Sequence, residues 1–128
     1  DVDHFKLYND YYGHEQGDKA LCEVANILKD NTNPDNHFVA RYGGEEFVIV
    51  LSNTDKHQAL KVAETLRTAV ASAHITHQGR TDLSYVTLSI GVASKAANEA
   101  FDSDSLFKIA DDALYKAKKQ SRNCCVAG

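Results

Sequence analysis

At 128 residues, with 43% hydrophobic and 25% charged side chains, the chain has the size and balance of one globular domain. A formal net charge of −4 argues against non-specific nucleic-acid binding through a basic surface, so a polyanionic ligand must be met by a few placed cations or by metal ions. No apolar run approaches the roughly 18 residues that a membrane-crossing helix needs, and the start carries no signal-peptide pattern.

The chain opens in mid-motif at Asp1-Val2-Asp3 with no apolar strand before it, which reads as a cut end whose first strand lies outside these residues. Leu21, Val24, Ala25, Ile27 and Leu28 then recur at helical spacing and predict a helix over residues 18–29. Taken alone, Asp18 reads as its N-cap. Cys22 falls on the apolar face, and with the adjacent Cys124 and Cys125 it gives neither a disulfide framework nor a C-x-x-C spacing; reduced, buried thiols of a cytosolic protein are expected. A polar loop over 31–36 holds the sole proline, Pro34, and leads into two alternating apolar segments, 37–42 and 47–51, joined by Gly43-Gly44-Glu45-Glu46. Such a Gly-Gly pair between alternating segments predicts a hairpin.

Asp55 is a good N-cap for a second helix carrying Leu60, Ala63, Leu66, Ala69, Val70 and Ala73 on one side. Residues 74–80 and 84–93 read as a second hairpin, with Tyr85, Thr87 and Ser89 alternating with Val86, Leu88 and Ile90. Ser103 or Asp104 should cap a third helix whose Leu106, Phe107, Ile109, Ala110, Ala113, Leu114 and Ala117 face the core, and a short strand over 123–127 closes the chain. The order helix, strand, strand, helix, strand, strand, helix, strand predicts an α/β (α+β) domain with an antiparallel sheet centred on the Gly-Gly hairpin and helices packed on it.

The glycine tip is where the chemistry concentrates. Glycines without side chains let a purine or a phosphate approach the backbone, and carboxylates beside them can hold a hard cation through oxygen. A solvated hairpin turn is the competing reading of that motif alone. Lys118 and Arg122 stand four apart, so they project together if the last helix persists that far; an ordinary basic helix end is the competing reading.

The motifs taken together resemble the GGDEF domain, the diguanylate cyclases of bacterial signalling. The resemblance rests on Asp1-Val2-Asp3-His4-Phe5-Lys6, Asn9-Asp10, Gly13-His14, Gly17-Asp18, Gly43-Gly44-Glu45-Glu46-Phe47, Ser89-Ile90-Gly91-Val92-Ala93, residues 110–118 and Arg122-Asn123, in order over essentially the whole chain. The Gly-Gly-Glu-Glu-Phe form counts in the family as an active signature. The resemblance implies one GGDEF domain over 1–128, truncated at its N-terminus, with a ferredoxin-like, nucleotidyl-cyclase palm-type core flanked by helices. The implied activity is condensation of two GTP into cyclic di-GMP and two pyrophosphates, by attack of a 3′-hydroxyl on an α-phosphate.

The resemblance also implies roles. Asp1 and Glu45 by carboxylate and Val2 by its carbonyl would hold Mg²⁺ or Mn²⁺, two ions per active site, an all-oxygen set that suits such ions. Glu45 would also help deprotonate the 3′-hydroxyl, and Glu46 lies near the site without a fixed role. Asn9 and Asp18 would read guanine, whose N1–H and amine a carboxylate can accept; Gly43 and Gly44 would admit the nucleotide. Lys118 and Arg122 would hold the phosphates, helped by Lys6 and by the Phe5 and Lys6 amides from the first loop. His14 could touch the nucleotide or simply pack, and packing is the favoured reading.

Catalysis would need two GTP-loaded copies facing each other as an antiparallel homodimer. A sensor or dimerisation domain would lie outside the chain, and the chain itself would be cytoplasmic or the cytoplasmic part of a membrane-anchored sensor. No nucleic acid and no membrane contact is expected of this segment. Two departures from the family pattern stand out. Pro34-Asp35-Asn36-His37 carries neither residue of the Arg-x-x-Asp product site, so inhibition through it is not expected, and Ser121 replaces the glycine usual before Arg-Asn. The alternative is a non-catalytic GTP-binding regulatory module; a cyclase acting within one ATP is disfavoured by Asp18, which suits adenine poorly.

Overall fold

Two-residue alternation sorts the first hairpin into an inner and an outer face. The computed structural model describes residues 1–100 and 102–128. It pairs β1 (His37–Gly43) antiparallel with β2 (Glu46–Leu51), Val39 opposite Ile49 and Phe38 opposite Val50. Val39, Phe47 and Ile49 pack against the core, whereas Phe38, Tyr42 and Val50 are exposed. Helix α1 (Phe5–Tyr12) runs into α2 (His14–Asp30), which brings Leu21, Val24 and Leu28 to that core beside Leu66 and Val70 of α3 (Lys56–Ser72).

The sequence reading is corrected at this end. Residues 5–12 are a helix, not a loop, so Lys6 is helical, and α2 begins at His14. Asn9, Asp10 and the tyrosines are weak helix formers; burial of Phe5 and Tyr8, with Tyr8 edge-on to the His77 ring at 5.1 Å, holds the turns instead. The break between the helices falls at Gly13, whose φ of 88° suits glycine. Asp18, in the second turn of α2, caps nothing, and Cys22 is exposed rather than buried, because the inward stripe runs through Leu21, Val24 and Leu28.

Asp55 caps α3 as expected. Its carboxylate accepts the Gln58 N–H (2.8 Å) while the Gln58 side chain accepts the Asp55 N–H (3.3 Å), a reciprocal capping box. The second hairpin survives as one bridge, Thr76 to Tyr85, flanked by the bonds His77 N–H to Ser84 C=O and Val86 N–H to Ile75 C=O, both 2.8 Å. Beyond it, β3 (Ile90–Val92) pairs in parallel with β4 (Cys125–Ala127), a pairing the expected antiparallel sheet did not contain. Parallel neighbours need a crossover, and α4 (Ser103–Gln120) supplies it.

Asp102, not Ser103 or Asp104, caps α4. The helix buries Ala113 and Ala117, but Phe107 and Ile109 are exposed, contrary to expectation; Phe107 lies against Tyr42 with ring centres 5.0 Å apart. The last strand starts at Cys125 rather than at 123 because Arg122 and Asn123 sit in the left-handed region. Among the described residues no helix is long and apolar enough to cross a membrane.

Residues 1–3 join the two halves. Val2 bridges Leu88 antiparallel, with Asp3 N–H to Thr87 C=O (2.9 Å) and Ser89 N–H to Asp1 C=O (3.1 Å) on either side. On its other edge the Val2 N–H donates to the Glu45 carbonyl (3.1 Å). The opening segment therefore lies between the hairpin tip and the 86–89 segment, all four residues of which are buried.

Candidate active site

Gly43 closes β1 opposite Glu46, so Gly44 and Glu45 make the turn itself. Gly44 has φ 53°, and a Cβ on either glycine would meet open space, so this backbone is free to be approached. Arg41 Nε donates to the Gly44 carbonyl at 2.9 Å and holds the tip. Because a strand residue points its N–H and C=O to one side, the Val2 carbonyl shares the edge that faces Glu45. Two carboxylate-bearing segments thus run side by side.

The Asp1 side chain is 6% exposed and its Oδ2 pairs with Lys118 Nζ at 3.1 Å, so the last helix delivers a cation to this acidic edge. Among the described residues no three His, Cys, Asp or Glu side chains gather into a metal centre. The donors fit Mg²⁺ nonetheless. That ion commonly takes one or two carboxylates and completes its shell with water and phosphate oxygens, and the Asp1 carboxylate already attracts positive charge.

Arg122 does not follow Lys118 along a helix. The helix stops at Gln120, the Ser121 cap has φ −150°, and Arg122 turns to φ 54° with its N–H on the Ala117 carbonyl (3.1 Å). The extended φ at Ser121 explains why glycine is not needed there. Arg122 stands near His4, whose imidazole is held below its ordinary value by burial and then by the Arg122 and Arg80 charges.

Asn9 and Gly17 interlock between α1 and α2. Asn9 Oδ1 is buried without a hydrogen-bond partner among the described residues, and a Cβ at position 17 would overlap it. Phe5 is buried beside them, and Lys6 is exposed. Among the described residues no side chain caps α1, leaving its first N–H groups available to an anion. Asp18 lines a groove of about 310 Å³ with Cys22, Asn26, Lys29, Arg41 and Phe47. His14 is exposed at the first position of α2, so it does not pack as the sequence suggested. A second depression of about 500 Å³, along residues 77–85, includes neither the glycine turn nor the α4 cations.

Sequence reasoning missed a buried polar cluster behind the edge. Asp3 is 1% exposed and accepts from Thr87 Oγ1, Ser89 Oγ and the Asn123 N–H. Arg80, also buried, donates to Thr87 Oγ1 and grips Asp82, which holds the Asp82 carboxyl far below the usual range. The signal was the polar alternation Thr87, Ser89 inside an apolar segment, which faces Asp3 instead of solvent.

Residues 1–124 match the family described as diguanylate cyclase, GGDEF domain. The chain is 45% identical over 127 residues to diguanylate cyclase DgcM of Escherichia coli (strain K12), covering 99% of this chain and 29% of that protein. It is 46% identical to diguanylate cyclase A of Treponema denticola, covering 96% and 32%. It therefore spans about a third of these relatives. Among solved structures, the active GGEEF domain of a diguanylate cyclase from Vibrio cholerae superposes with a TM-score of 0.85 at 38% identity, over 99% of this chain and 78% of that one. The GGDEF domain of DgcB from Caulobacter crescentus, solved with c-di-GMP, gives 0.85 at 34%, over 99% and 73%. By sequence along nearly all its length and by fold, the chain belongs to the GGDEF diguanylate cyclase family.

Proposed function

We propose that this chain is the catalytic segment of a diguanylate cyclase, condensing two GTP into cyclic di-GMP and two pyrophosphates. The observation that carries the reading is the Val2 N–H to Glu45 carbonyl bond, which sets the Asp1–Val2 edge beside the acidic turn, with Lys118 closing it from α4. In each half-reaction a 3′-oxygen bonds to the α-phosphorus of the facing GTP, the bond from that phosphorus to the β-bridging oxygen breaks, and pyrophosphate leaves. The 3′-hydroxyl proton passes to Glu45, which serves as general base.

Asp1, Glu45 and the Val2 carbonyl would hold Mg²⁺ or Mn²⁺, two per site. When bound, these ions neutralise phosphate charge and lower the pKa of the attacking hydroxyl. Lys118, Arg122, Lys6 and the uncapped Phe5 and Lys6 amides hold the phosphates, and the bare Gly43-Gly44 backbone lets the nucleotide lie close. Asn9 and Asp18 read guanine: the unpartnered Asn9 oxygen is an acceptor in waiting, and the Asp18 carboxylate accepts from N1–H and the amine. Glu46, at the start of β2, adds negative charge beside the turn and has no fixed role in this reading. Two copies face each other, each presenting one GTP, and segments of the parent protein outside this chain bring them together.

The test uses the full-length protein as a dimer with GTP and Mg²⁺, with the cyclic dinucleotide followed by chromatography. Glu45→Gln should remove product while GTP still binds; unchanged turnover refutes the assignment. A wild-type dimer that binds GTP and makes no product would mark a regulatory module instead.

A further inference from the structure

Three chain segments meet at one carboxylate. Asp3 Oδ2 accepts from Thr87 Oγ1 (2.7 Å) and from the Asn123 main-chain N–H (2.9 Å), and Oδ1 accepts from Ser89 Oγ (2.6 Å). Charge-assisted bonds of this length are the strong ones, and burial strengthens them further. Buried and engaged by three donors, Asp3 stands apart from the acidic edge that Asp1 lines two residues earlier.

What it holds is a turn that does not hold itself. Arg122 and Asn123 are consecutive non-glycine residues at φ 54° and 45°, a conformation that L side chains disfavour and that persists only where the surroundings impose it. The surroundings are specific. The Asn123 N–H ends on Asp3, the Asn123 side chain accepts from Arg67 Nη1 (3.0 Å), and the Arg122 N–H ends on Ala117. Without the carboxylate, the half-buried Asn123 N–H loses its acceptor, the left-handed pair is no longer enforced, and Arg122 swings with it.

We propose that Asp3 is a positioning residue: it ties the Arg122–Asn123 turn to the Asp1–Val2 edge, fixing the phosphate cation relative to the acidic groups. This rests on the diguanylate cyclase reading, in which Arg122 binds phosphate. Thr87 braces Asp3 from behind, itself held by Arg80, which Asp82 anchors in turn.

The experiment is a double-mutant cycle on the full chain, reading the affinity of α,β-methylene GTP with Mg²⁺, with melting temperature followed in parallel. Arg122→Ala and Asp3→Ala should each weaken binding about tenfold, the size of one lost charged hydrogen bond. The double variant should bind no worse than Arg122→Ala alone. Asp3→Asn, whose amide oxygen can still receive the Asn123 N–H and the Thr87 hydroxyl while the Ser89 hydroxyl turns to accept from the amide nitrogen, should recover most of the loss. Should Asp3→Ala fail to fold, Asp3→Ser, too short to span to that N–H, takes its place in the cycle. Additive losses, or an Asp3→Asn protein as weak as Asp3→Ala, would overturn the inference and leave the cyclase reading intact. An Arg122→Ala protein that binds normally would overturn the inference together with the phosphate role of Arg122, and would leave the cyclase reading to the Glu45→Gln test.

Discussion

Asn9 and Gly17 illustrate how one residue's role rests on another's absence of side chain. The oxygen of Asn9 occupies the space a Cβ at 17 would need. Gly17→Ala should therefore lower stability by about 1–3 kcal/mol and displace Asn9, weakening GTP more than it weakens inorganic pyrophosphate. Equal losses for both ligands would argue that Asn9 does not face the base. His77 offers a second check. It is buried, with Nε2 on the His4 carbonyl at 3.0 Å, and burial is the main cause holding its imidazole below the ordinary value.

The sign of the His77 effect follows from linkage. The folded protein favours neutral His77, while the unfolded chain takes up its proton near the ordinary value of about 6.5. The contribution is whole above that pH and declines as pH falls from there toward the lower folded value. His77→Gln removes the titration, so its melting-temperature deficit against wild type should shrink between pH 7.5 and 5.5. A constant deficit would mean that His77 is not held neutral.

Among the elements, the β3–α4–β4 unit depends on one close approach. Gly91 lies against the α4 backbone, where a Cβ would overlap the Ala110 carbonyl and the Leu114 nitrogen. Backbone yields less readily than a side chain, so Gly91→Ala should cost about 3 kcal/mol, at the upper end for overpacking. Because α4 carries Lys118, the same change should loosen the Lys118–Asp1 pair and weaken GTP binding; an unchanged melting temperature would mean the helix can retreat freely. Asp55 was legible as a cap because capping is local chemistry. Asp102 was misplaced by a residue because Ser103 and Asp104 carry equally good capping side chains.

For the whole molecule, the proposed reaction has an order higher than one in protein, since each copy contributes one GTP. Turnover per chain should fall on dilution, and fusing a parallel coiled coil ahead of the parent's catalytic segment should restore it by roughly 10²-fold or more at low concentration, through effective concentration alone. Turnover per chain independent of dilution would exclude the two-copy arrangement. The acidic balance of the chain, −4 overall, makes the few cations at the site the ones that decide phosphate binding.

The elements with local causes were readable in advance: the hairpin from its alternation and glycines, α3 from its cap and apolar stripe, the family from motifs whose order needs no coordinates. What the sequence by itself determined was therefore the set of chemical groups and the class of fold. Helix α1 was not readable, because its stability comes from Phe5 and Tyr8 meeting distant partners rather than from propensity. Neither was the parallel β3–β4 pair, whose partners are far apart in the chain, nor Arg122, which leaves the helix for a turn. Tertiary structure alone decided that Asp3 is an anchor, whereas Asp1, nearly as buried, faces the Lys118 cation. Asp1 and Asp3 are the same side chain two residues apart, and only the hydroxyls of Thr87 and Ser89 and the Asn123 N–H, brought in from the far end of the sequence, set them apart.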